Sequence, residues 1–192
     1  MGTITRLTKD GYGQLELNQV AFRRDGRIEA QCALNATDFA SAPAENGMIL
    51  CVDNVSRTIK LPTAANIAKY PLALNYTTEH MYDDRANGLK NFKLTKDDGF
   101  YPRLGYLSVG DKFTTNTICY DSSDFADDDA LKAAIAALGT TPLYAVPYQD
   151  GYWHIIDDLT GVTGLYCAVV TGTGAGSMPD GQYAVKLQVI EM

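Results

Sequence analysis

Four stretches of the chain hold side chains whose types and spacing could do chemistry. Around His80, the carboxylates Glu79, Asp83 and Asp84 crowd together, a donor set that could hold a hard cation. No spacing there matches a calcium loop, and a charged surface loop is the competing reading. In Trp153-His154-Ile155-Ile156-Asp157-Asp158 a histidine stands near two carboxylates, the raw material of general acid–base work. Strand alternation would put His154 and Ile156 on one face and Trp153, Ile155 and Asp157 on the other. Asp157 then points away from His154, and the stretch reads as structural, with Trp153 and Ile155 in the core and His154 outside. Gly172-Thr173-Gly174-Ala175-Gly176-Ser177 has the look of a phosphate cradle but lacks the closing Lys-[Ser/Thr], and no helix follows it. It reads as a loop between paired strands. Finally, Cys32, Cys51, Cys119 and Cys167 form no CxxC pair and have no histidine nearby, so zinc is disfavoured. Each lies in an apolar segment, which predicts buried free thiols and folding in a reducing cytoplasm. No GxSxG or HExxH motif appears.

The elements that must position these groups are mostly strands. Gln14–Val20 alternates with period two, and Asp25-Gly26 then separates it from a second run, Arg27–Leu34, which predicts a hairpin. A second hairpin is expected over Met48–Leu61. Pro71–Thr78 and Tyr106–Tyr120 continue in strand mode, helped by Thr114, Thr115 and Thr117. Two more hairpins are expected, one around Gln149-Asp150-Gly151 and one joining Leu165–Val170 to Gln182–Ile190 across the Gly-rich loop. One helix is expected at about 127–138. Asp127, Asp128 and Asp129 suit its positive end, Leu131, Ile135 and Leu138 form one apolar stripe, and Gly139 would cap it. The fold class is therefore mainly β, an antiparallel barrel or sandwich with one short helix. Residues 1–13, poor in apolar side chains, read as an N-terminal arm. Residues 14–192 read as a single β-rich domain, with a division into two lobes near 62–96 left open.

Charge narrows the partners. The formal net charge is -7. Up to Lys96 there are 12 basic and 10 acidic residues, a net of +2; from Asp97 onward 4 basic and 13 acidic leave a net of -9. Nucleic-acid binding is disfavoured, because phosphate contacts need clustered Lys and Arg. The one tight basic cluster is Arg23, Arg24 and Arg27, either a solvated turn or a patch for an acidic protein surface. No run of about 18 apolar residues is present to span a membrane, and the N-terminus has no apolar leader-like stretch.

Several segments resemble structural proteins of tailed-bacteriophage virions, of the capsid-decoration type. They are Asp10–Phe22 (DGYGQLELNQVAF), Asn46–Asp53 (NGMILCVD), Leu107–Asn116 (LSVGDKFTTN) and Met178–Val189 (MPDGQYAVKLQV). The resemblance implies a non-enzymatic protein without cofactor or metal that binds the major capsid protein on the virion surface, after assembly in the host cytoplasm. It also implies a homo-oligomer, with a trimer suiting local threefold positions. The contact residues implied are Tyr12, Leu15, Leu17, Phe22, Arg23, Arg24 and Arg27, with Tyr12 and Phe22 as aromatic anchors and the strand adding to an exposed sheet edge. Deleting residues 1–13 would then abolish docking and leave the fold intact. The alternative is a tail, fibre or baseplate component that binds the host surface, where aromatics at Tyr148–Trp153 would stack on carbohydrate. A hydrolase using the Glu79–Asp84 carboxylates is the third reading.

Overall fold

A computed structural model describes residues 2–27, 32–77, 90–173, 178 and 180–192. Among them are thirteen strands in two mixed sheets and three helices, in a curled half-barrel arrangement. The chain is mainly β, as its alternation implied.

The larger sheet has eight strands in the order β1-β9-β11-β10-β12-β13-β8-β2. These are β1 (Ile4–Arg6), β2 (Leu15–Gln19), β8 (Lys112–Thr115), β9 (Ile118–Asp121), β10 (Tyr144–Pro147), β11 (Trp153–Ile156), β12 (Tyr166–Thr173) and β13 (Ala184–Glu191). The smaller sheet runs β3-β5-β4-β6-β7, with β3 (Ala33–Leu34), β4 (Ile49–Asp53), β5 (Thr58–Lys60), β6 (Leu72–Asn75) and β7 (Leu104–Gly105). Most pairs are antiparallel, but β9–β11 and β3–β5 are parallel, so neither sheet is purely antiparallel.

Alternation places the core. Phe113, Trp153, Ile155, Cys167, Leu187 and Val189 face inward from the large sheet. They meet Ile49 and Leu74 from the small sheet and Leu131 and Ile135 from a helix. The opposite face of β4 sends Leu50 and Val52 into a second cluster with Phe39, Met48 and Leu104. Both faces of β4 are covered, which is why it reads Ile-Leu-Cys-Val without a polar alternate.

The long helix, α3 (Asp128–Ala136), follows the short helices α1 (Ala21–Arg24) and α2 (Ala64–Ile67). Asp127 caps α3 by accepting the Ala130 N–H at 2.8 Å. Its end differs from expectation. Ala137 is the C-cap, and Gly139 does not adopt the left-handed conformation of a C-cap glycine.

Three expected hairpins are present. β4–β5, β10–β11 and β12–β13 pair antiparallel, and Gly151 turns the second of them at φ 88°. The hairpin expected over 14–34 is absent. β2 pairs with β8, and β3 joins the other sheet. Asp25-Gly26 instead ends α1: the Gly26 N–H donates to Arg23 O and the Arg27 N–H to Phe22 O at 2.8 Å, with Gly26 at φ 69°. This is a Schellman closure, which needs the same positive φ that a hairpin turn does. The Tyr106–Tyr120 run is likewise two strands, broken at Asn116-Thr117.

The N-terminal arm is also corrected. β1 is an edge strand with Ile4 opposite Asp121 and Arg6 opposite Cys119. Leu7 is buried, and its N–H donates to Ile118 O at 3.0 Å. Backbone pairing plus one apolar anchor holds the segment, so low apolar content did not mean a free arm. No helix of the described residues is long and apolar enough to cross a membrane.

Candidate functional site

The expected contact residues divide between surface and core. β2 ends the large sheet, so one of its edges has no strand partner among the described residues. Leu15 and Leu17 are half-buried and pack against the core from that edge. The chain then turns into α1, whose first N–H, from Ala21, donates to the buried Asp111 carboxylate at 2.8 Å. The second Asp111 oxygen accepts the Ser108 N–H at 2.8 Å. One carboxylate thus supplies the cap that Val20 cannot.

Arg23 and Arg24 are exposed on α1, and Arg27 just beyond it. Arg24 Nε lies 3.1 Å from Asp25 Oδ1, a surface pair that contributes little to stability. Together Leu17, Asn18, Gln19, Val20, Arg23 and Arg24 line an open groove of about 520 Å³.

Phe22 is not on that surface. It is 3% exposed, its ring is 4.8 Å from that of Tyr76, and a Cβ on Gly105 would lie 2.4 Å from it. It fixes α1 to the body and cannot be an exposed anchor. Tyr12 is held by Lys93, whose Nζ donates to its hydroxyl at 2.9 Å and sits 4.7 Å from the ring centroid. The structure therefore gathers Leu15, Leu17, Arg23 and Arg24 at one edge and engages Tyr12 and Phe22 elsewhere.

Behind the N-terminal strand lies a polar node that sequence reasoning missed. Tyr152 is 1% exposed, and its hydroxyl donates to Glu45 Oε1 at 2.7 Å. Lys9 Nζ donates to that hydroxyl at 3.0 Å and lies 3.1 Å from Glu45 Oε2. The Gly13 N–H donates to Glu45 Oε2 at 2.6 Å. The Arg6 guanidinium stacks 4.1 Å from the Tyr152 ring centroid. Burial, reinforced by the Glu45 charge, pushes the Tyr152 hydroxyl far above its ordinary pKa, so it stays a donor. A cavity of about 80 Å³ adjoins, lined in part by Arg6, Glu45, Asp150 and Tyr152. No local signal marked Glu45, because its partners are separated from it by tens of residues or more.

The other sequence candidates fall as follows. Glu79, His80, Asp83, Asp84 and Gly174–Ser177 lie outside the described residues. Among the described residues no group of three or more His, Cys, Asp or Glu could hold a metal. All four cysteines are free and buried, and burial pushes the Cys51 thiol up to about 12. Trp153 is fully buried, and its Nε1 donates to Gly47 O at 3.0 Å. With Tyr152 also buried, the aromatics of that hairpin cannot form the expected sugar-stacking surface. Their alternation is as expected, with Trp153 and Ile155 inward and His154 outward.

His154 Nε2 is buried without a hydrogen-bond partner, and the ring stands 5.3 Å from that of Tyr148. Burial lowers its pKa, outweighing the opposing pull of Asp124, Asp121 and Asp150. The folded state thus takes up this proton less readily than the unfolded chain. Stability should decline as pH falls below the unfolded value of about 6.5 and continue down through the folded pKa. Carboxylates held low by hydrogen bonds, such as Asp98 and Asp158, act only at lower pH. Urea unfolding of His154→Gln should therefore show a flatter pH dependence than wild type between about pH 7 and 5. An unchanged slope would count against this assignment.

Comparison with protein-family models, with curated proteins and with solved structures gave no match.

Proposed function

We propose that the chain is a non-enzymatic structural protein of a tailed-phage virion that docks on the major capsid protein and decorates or cements the head. The observation that carries this reading is the β2 edge, unpaired among the described residues, leading into the exposed Arg23 and Arg24 of α1. An unpaired strand edge offers backbone hydrogen bonds to an extended segment of another subunit. Leu17 supplies apolar contact beside it, and the two guanidiniums meet carboxylates on the capsid surface. Oligomerisation multiplies such modest contacts through effective concentration.

Truncation of residues 1–13 does not test this cleanly, because β1 and Leu7 belong to the fold. The better variant is Arg23→Glu with Arg24→Glu, which changes exposed side chains only. Binding to particles stripped of the protein should weaken at least about tenfold, and its salt dependence should flatten. If the double variant decorates particles as wild type does at every ionic strength, the docking edge is wrong.

A second reading rests on Phe100 and Tyr101, 72% and 54% exposed on a loop. Neighbouring exposed aromatics of this kind favour a tail, fibre or baseplate component that meets the host surface.

A further inference from the structure

The outer face of the large sheet is apolar at its centre, where a sheet facing water ordinarily alternates to polar residues. The inward residues Ala145, Ile155 and Cys167 are accounted for by the core. Of their outward neighbours, Tyr144, Val146, Ile156, Tyr166 and Ala168 are apolar or aromatic and His154 is the one polar ring, with Ile190 on the same face of β13. All keep part of their surface open, Ile190 as much as 40%. The Tyr144 and Tyr166 rings meet edge to face at 6.0 Å across β10 and β12.

Register aligns this patch with charge. Ile156 is opposite Tyr144, Tyr144 opposite Ala168, Ala168 opposite Gln188 and Gln188 opposite Lys112. On the other side Asp121 follows the Tyr120–Ile155 pair and so extends the row beyond Ile156. One row therefore crosses six strands, from the largely buried Asp121 carboxylate to the Lys112 ammonium, with Ile156, Tyr144, Ala168 and the amide of Gln188 between. Asp124, exposed, lies just beyond Asp121. Lys112 has no ion-pair partner among the described residues.

We propose that this face binds a second copy of the chain, sheet against sheet, about a two-fold axis running along the strands between β10 and β12. That operation superposes the row on its own reverse. Lys112 of each copy meets the exposed Asp124 of the other, Asp121 beside it being buried against Ser123, and Tyr144 of each meets Ala168 of the other. A two-fold interface must be self-complementary in this sense, and stacked sheets about 10 Å apart let such side chains interdigitate. Like-signed ends would repel, so the opposed ends favour this axis over one across the strands. The pairing is two-fold, unlike the trimer implied by the resemblance. It does not use the outer edge of β2, and it stands or falls independently of docking on particles.

Sedimentation equilibrium of the purified full-length chain tests it. The expected mass is twice the 20.9 kDa of one chain. Tyr166→Lys with Ile190→Lys should raise the dissociation constant at least about tenfold, since aromatic and central apolar contacts dominate such interfaces. Circular dichroism would show whether that variant folds. The charge variants give the decision independently: Lys112→Glu and Asp124→Lys should each weaken the dimer, and the two together should restore it. A chain that stays monomeric at all concentrations overturns the proposal. So does an oligomer indifferent to the charge set, or single variants that are not rescued in combination.

Discussion

Glu45→Ala is expected to destabilise the fold by about 3–5 kcal/mol, the cost of stripping one partner from a buried ion pair. Lys9 is then left 11% exposed at its side chain without its carboxylate, and the Tyr152 hydroxyl and Gly13 N–H lose their acceptors. For a chain of this length each kcal/mol lowers Tm by about 2–4 °C, so the loss is easily read by calorimetry. Glu45→Gln keeps one of the two acceptor oxygens, so only one of the Tyr152 and Gly13 donors stays satisfied, and it should still cost less than the alanine variant. Tyr152→Phe should likewise fall below Glu45→Ala, because the Lys9–Glu45 pair survives it. If Glu45→Ala unfolds at the wild-type temperature, the node does not hold the N-terminal segment to the body.

Trp153→Ala carries the second large effect, about 3–5 kcal/mol for truncating a fully buried indole. The ring lies 5.4 Å from Phe113, and its Nε1 ties β11 to Gly47 O in the turn leading into β4. Loss of that donor leaves a buried carbonyl unsatisfied, which adds to the cavity. Trp153→Phe should recover part of the loss by refilling volume without the hydrogen bond. Equal losses for the two variants would mean that packing contributes nothing beyond the hydrogen bond, contrary to the observed burial.

The two variants also show what was legible before the structure. Period-two alternation alone places Trp153 inward, because one face of β11 is core and the other is not. The same rule found β4–β5 and β12–β13, whose turns carry their own residue chemistry. The Asp127 cap marked α3 because the carboxylate acts on an N–H three residues away. Glu45 had no such local mark. Lys9 and Tyr152 reach it from distant elements, and only the folded chain brings them together. Asp25-Gly26 misled for a different reason: a helix closing turn and a hairpin turn both require the positive φ that Gly26 supplies. The parallel β9–β11 pair was invisible because sequence alternation says nothing about which strands become neighbours. Of the candidate docking residues, Leu15, Leu17, Arg23 and Arg24 meet at one edge, whereas Phe22 follows its hydrophobicity into the core.

Copy number in purified particles is the most direct measurement of the docking role. Quantitative mass spectrometry of virions carrying wild-type protein should give a stoichiometry comparable with the major capsid protein. Virions assembled with Arg23→Glu and Arg24→Glu should carry far fewer copies. A chain absent from particles, or present in only a few copies whatever stands at positions 23 and 24, would contradict decoration of the head.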